Sequence, residues 1–245
     1  MGAAGDRDAQ AGRSGWWPVF LLLVLALTLG GFWAVNRSGA GQASPAGGGT
    51  TVSPSPSIPP IARQQVWTSD TRASGVYLLN TIAAEPALPA PHTVRYVVKV
   101  EDTTQVAPDE AAAEIQRTLD DPRGWAGYGK RNFTLVTDEA AADLTVYLTS
   151  PSTTHELCKP TDVGFAWNCS DEKRVVLNSD RWRFMTPTYD DLGAYRAYLV
   201  NHEVGSFLGQ GVATCPKPGA NAPVMMQQGI DLGGCLPNAW PRDAD

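Results

Sequence analysis

Asn201-His202-Glu203-Val204-Gly205-Ser206-Phe207-Leu208-Gly209-Gln210-Gly211-Val212 is the stretch from which the rest of the chain is read. Side chains four apart on a helix lie one above the other, so an imidazole at 206 would join His202 in gripping one ion from the same face. A glycine three residues later lets the chain leave the helix and return a third imidazole, at 212, to that ion. Three such ligands and a water make a catalytic zinc site, with the carboxylate beside the first imidazole taking the water's proton. The chain supplies His202, Glu203 and Gly209, but it places Ser206 and Val212 at the other two ligand positions. A serine hydroxyl is a poor zinc ligand at neutral pH, and valine has no lone pair. The sequence therefore leaves His202 as a lone metal-binding imidazole and Glu203 as a vestigial general base.

Downstream, Pro223-Val224-Met225-Met226-Gln227 forms a methionine-bearing turn. These residues, with Tyr195 to Gly205, Cys215-Pro216, Ala222 to Gln228 and Gly234 to Pro241, resemble a metzincin-like family of unknown function found in actinobacterial envelope proteins. The resemblance covers roughly 64–245 and is most specific in the C-terminal third. It implies an α+β fold: a mixed twisted sheet, two main helices and a small irregular C-terminal subdomain. It also implies that Met225 or Met226 is the Met-turn residue, packed beneath the metal position. Members of that family complete the motif with histidines, and this chain departs from it at Ser206 and Val212.

Two functional expectations follow. The first is a catalytically inactive pseudoprotease that needs no cofactor and binds an extracytoplasmic peptide or protein. The alternative is an active zinc-dependent metalloendopeptidase in which His202 works with unusual ligands and Glu203 stays the base. A purely structural wall domain is a third reading. Only His92 and His155 remain as further imidazoles; His155 reads as a surface-loop residue between the third strand and the segment that follows. Ser206 lacks the Gly-x-Ser-x-Gly setting of a hydrolase nucleophile.

The net charge of −6 and the scattered Lys and Arg argue against nucleic-acid binding. Residues 16–35 are uncharged and apolar, about the 20 residues needed to cross a membrane, and Trp16, Trp17 and Trp33 bracket them. The segment is read as an uncleaved signal-anchor, with a cleaved signal peptide as the alternative. Arg7 and Arg13 before it, against Arg37 after it, put the tail 1–15 in the cytoplasm. A Gly/Ser/Pro-rich linker, 36–62, leads to an extracytoplasmic domain, 63–245, of a single-pass cell-membrane protein.

Within that domain, short strands are predicted at Val66-Trp67 and Gly75 to Leu79, and a longer one at 93–100. A helix is predicted from Pro108 to Leu119, its inner face including Ala113, Ile115 and Leu119. Further strands are expected at 132–136, 143–149 and 174–178, and Tyr189-Asp190-Asp191 caps the helix that carries His202. The four cysteines, Cys158, Cys169, Cys215 and Cys235, all follow the apolar segment and favour disulfides. Four cysteines allow three pairings. The expected one is Cys158–Cys169, clipping an edge loop, and Cys215–Cys235, clipping the C-terminal subdomain.

Overall fold

Strand β1 (Tyr77–Leu79) lies antiparallel on β2 (His92–Glu101), the long strand at the middle of the sheet. The computed structural model from which this architecture is taken describes residues 58–159 and 167–242. The expected tail 1–15, anchor 16–35 and linker residues 36–57 lie outside the described residues, as do residues 160–166 between the first two cysteines. No helix among the described residues is long and apolar enough to cross a membrane.

Strands β3 (Arg131–Leu135), β4 (Leu144–Thr149), β5 (Asn168–Ser170) and β6 (Arg174–Asn178) complete a six-stranded sheet in the order β1-β2-β4-β6-β5. β3 pairs with the first half of β2 and β1 with its end, on the same edge, while β4 takes the other edge. β2, β3, β4 and β6 run parallel, and β1 and β5 are antiparallel to them. β2 is rich in β-branched residues, and Val94, Tyr96, Val97, Val98 and Val100 are all buried, as a parallel strand covered on both faces requires.

Among the described residues four helices pack on the sheet and its ends. Helix α1 (Pro108–Leu119) starts with Pro at its first turn and Asp109 and Glu110 beside it, matching the backbone's unpaired N–H groups and dipole. Its inner face is Ala111, Ala112, Ile115 and Leu119. Ala113, expected to face inward, is exposed, because the stripe that includes Ile115 and Leu119 passes through Ala112. Helix α2 (Pro151–Cys158) was not legible in the sequence, although Ser150 caps it by accepting from the Thr153 N–H. Helix α3 (Ser179–Phe184) follows directly from β6, and α4 (Leu192–Phe207) carries His202. Val66-Trp67, expected as a strand, has no regular structure. Ile58 packs against the core, and Ala62 is fully buried in a 3-10 turn over Pro60–Arg63.

Both expected disulfides form, Cys158–Cys169 and Cys215–Cys235, each with a Cα–Cα distance of 5.7 Å. A second tie is polar. The Glu101 carboxylate, fully buried at the end of β2, accepts from the Ser74, Gly75 and Ser150 N–H groups and from the Thr153 hydroxyl. Burial pushes its pKa up, but these four donors outweigh it and hold the group below the ordinary carboxylate range.

Candidate functional site

Helix α4 is set in place at both ends. Asp191 caps it, its Oδ1 accepting from the Ala194 N–H at 2.6 Å. At the other end Gly209 adopts φ +80°, which a residue with a Cβ resists. The Gly209 N–H donates to Ser206 O and the Gln210 N–H to Gly205 O. This paired closure is the Schellman arrangement. It gives Gly209 the helix-terminating task expected of it and does so without any ligand at 212.

Along the buried face of α4, Tyr195, Tyr198 and His202 follow one another. The Tyr198 and His202 ring centroids are 5.4 Å apart, and Tyr189 stacks on Tyr198 at 5.6 Å. His202 Nδ1 lies 2.9 Å from Val224 O. A carbonyl only accepts, so Nδ1 carries the proton and Nε2 keeps its lone pair. Burial lowers the imidazole's pKa, with the Val224 carbonyl pulling the other way, and the ring is neutral at pH 7. Glu203 is also buried, and burial pushes its carboxyl up to about 8, opposed in part by the Ser170 hydroxyl. At neutral pH it is mostly protonated.

His202 and Glu203 line a small cavity of ≈ 30 Å³ with Tyr195, Trp167, Gln227 and Ile230. Its walls come from three places: α4, the turn after the methionines, and the entrance to edge strand β5. The methionine beneath the helix is Met225, which packs in the main core against α4. Met226 belongs to a separate small cluster with Ala222 and Cys235, and its carbonyl accepts from the Tyr198 hydroxyl at 3.1 Å.

Two residues that sequence reasoning missed hold this turn. Gln228 is fully buried; its amide N–H groups reach Pro223 O and Asn238 O, and its Oε1 accepts from the Tyr189 hydroxyl and the Asn238 N–H. Asn238 in turn donates to Ala222 O and Trp240 O. The chain entering and the chain leaving the turn are thereby fastened to each other and to Tyr189, just before α4. An amide in a polar-looking loop gives no local sign of such contacts.

The other expected positions lie apart. Ser206 is exposed and Val212 is 76% exposed; neither lines the cavity. His92 is exposed at the start of β2. His155, expected in a surface loop, is exposed on helix α2 and borders a different, larger cleft. Among the described residues no group of three or more His, Cys, Asp or Glu side chains could hold a metal ion. One oriented imidazole does not fit the three-ligand set of a catalytic zinc, so no chemical step is assigned to a metal.

A family model described as protein of unknown function (DUF3152) matches residues 73–236. No curated protein and no solved structure matches the chain.

Proposed function

The chain belongs to the DUF3152 family, whose description assigns no activity, and on that premise we propose that it is a metzincin-like pseudoprotease that binds an extended peptide outside the cytoplasm. The observation that carries this reading is the pairing of His202 and Glu203, buried on α4 above a methionine turn, with two ligand positions that point no donor at them. The element order supports it in part: with β1, α2 and α3 set aside, β2, α1, β3, β4, edge strand β5, β6 and α4 follow the order of a metzincin N-terminal subdomain. β5 ends the sheet and borders the His202 cavity through Trp167 and Asn168. An extended peptide added to that edge would gain main-chain hydrogen bonds and lay a side chain towards the cavity.

Two disulfides fit an oxidising compartment. With the apolar segment 16–35, they support a domain tethered to the outer face of a membrane.

The test is the zinc content of the full chain after equilibration with micromolar zinc, beside the Ser206→His/Val212→His double variant. Zinc bound near stoichiometry by the variant alone is the expected result. Stoichiometric zinc in the natural chain would overturn the pseudoprotease reading, and zinc in neither protein would overturn the metzincin frame.

A further inference from the structure

The turn between β5 and β6 fixes which residues of β5 open outward. The Asp171 N–H donates to Arg174 O at 2.9 Å, so these two residues form a hydrogen-bonded rung at the head of the hairpin. Bonded and non-bonded rungs alternate along an antiparallel ladder. Cys169, opposite Val176, is therefore the next residue to bond inward, while Asn168, opposite Leu177, and Ser170, opposite Val175, turn their N–H and C=O groups away from β6. None of those outward backbone groups has a hydrogen-bond partner among the described residues.

Side chains alternate along the same strand. Cys169 points to α2, where it is joined to Cys158. Asn168 and Ser170 consequently point to the other face. Asn168 borders the His202 cavity, and the Ser170 hydroxyl acts on the Glu203 carboxyl, so that face is the one α4 covers. Residues directly opposite each other on paired strands share a face. A peptide residue placed opposite Asn168 thus sends its side chain to the side of His202.

The cavity it meets is ≈ 30 Å³, room for about one water. His202 Nδ1 is bonded to Val224 O, which leaves Nε2 as an acceptor without a partner among the described residues. The Glu203 carboxyl stands beside it, and Trp167, Leu199 and Ile230 supply apolar walls. A hydroxyl donates and accepts at a single atom, so a hydroxymethyl group suits both the space and the imidazole. A methyl group would fit but leave Nε2 unpaired, and a benzyl group would not fit.

We propose that the peptide taken up on β5 carries a serine opposite Asn168, its hydroxyl donating to His202 Nε2. This selection rests on strand addition at β5 and names the residue that the small cavity admits.

The test is capture from a pool of acetylated heptapeptides, randomised at every position, by the immobilised full chain, with the bound fraction sequenced and aligned. Serine is expected to exceed alanine about five-fold at one aligned position, the ratio one hydrogen bond gives, and phenylalanine to be absent there. His202→Leu, which removes the acceptor, should cancel the preference over alanine and leave capture in place. Because a change at a buried histidine can disturb the fold, Ile230→Ala is the second variant. Ile230 is 48% exposed on the cavity wall, and shortening it should admit threonine and valine at that position while far-ultraviolet circular dichroism is unchanged. Capture of no peptide at all would overturn strand addition at β5 and the serine with it. Capture without a serine-preferring position, a serine preference that persists in a folded His202→Leu chain, or an unaltered size limit in Ile230→Ala would overturn the serine alone.

Discussion

Gly205 and Met225 meet with no room for a side chain between them: a methyl group on Gly205 would lie 2.5 Å from Met225 Sδ and 2.5 Å from Trp125 Cζ2. Glycine inside a helix costs up to about 1 kcal/mol relative to alanine, so its use in the last turn of α4, Leu192–Phe207, goes with a close contact there. Trp125 belongs to the same contact, since its indole N–H donates to Asn201 O at 2.7 Å.

Gly205→Ala is therefore expected to destabilise the fold by about 1–3 kcal/mol, the usual cost of overpacking, despite its better helix propensity. Urea denaturation followed by tryptophan fluorescence measures it. Gly211→Ala serves as the control, because nothing lies within 4 Å of the added carbon there; a similar loss in both variants would remove the steric explanation.

Glu203 should make the protein less stable as pH rises. Its folded pKa of about 8 stands above the ordinary value of 4.5, so between those values the folded state holds a proton that the unfolded state has released. Stability then falls by up to ~1.4 kcal/mol per pH unit and levels off above the folded value. His202 acts with the opposite sign below its ordinary pKa of 6.5, because its folded pKa is depressed. The clean window is accordingly pH 6.5 to 8. Glu203→Gln should flatten the decline there and gain on the order of a few kcal/mol at pH 8. An unchanged slope in the variant would show that the carboxyl is not held protonated.

Glu101 has the reverse dependence. Its folded pKa is lowered, so its contribution is complete above the ordinary 4.5 and is lost as pH falls through the folded value. Glu101→Ala leaves three buried or half-buried N–H groups and the Thr153 hydroxyl without their acceptor, and it should cost about 3 kcal/mol at neutral pH. Acid unfolding of the variant should begin from a lower plateau and be less steep. The β2 end and the start of α2 should show the largest rise in amide hydrogen exchange.

How much of this was legible depended on how local the signal was. Pro108 to Leu119 carries its own start signal and an apolar period, and the helix has the bounds read from sequence. Val94 to Val100, the cap at Asp191 and the glycine stop at Gly209 are equally local. Helix α2 was hidden because Pro151-Ser152-Thr153-Thr154 reads as a breaker run, when Pro at the first turn after a Ser cap is also a start. Helix α3 has six residues, too few to show a period. The candidate site was half legible: His202, Glu203 and the methionine turn stood out, but the roles of Gln228 and Asn238 depend on partners elsewhere in the chain. Val66-Trp67 failed for a related reason. Its backbone serves as an acceptor for Arg181 and joins no sheet.

Reduction of Cys215–Cys235, a bridge across a sequence separation of 20, should lower stability by about 3 kcal/mol, mainly by freeing the unfolded chain. The Cys215→Ser/Cys235→Ser variant compared with the natural chain in calorimetry measures it. A drop in the unfolding temperature that appears only in the natural chain when reductant is added would identify this bridge as the source; an equal drop in the variant would assign the effect to Cys158–Cys169.

The same bridge also has a covalent consequence. Val224, Met225, Gln227 and Gln228 all fall between Cys215 and Cys235, so the whole methionine turn sits inside a closed ring of main chain. A protease that cuts anywhere from 216 to 234 severs the polypeptide without separating its pieces. The nicked molecule would run as one band on a denaturing gel and as two only after reduction, and it would keep the turn beside His202 by connectivity alone.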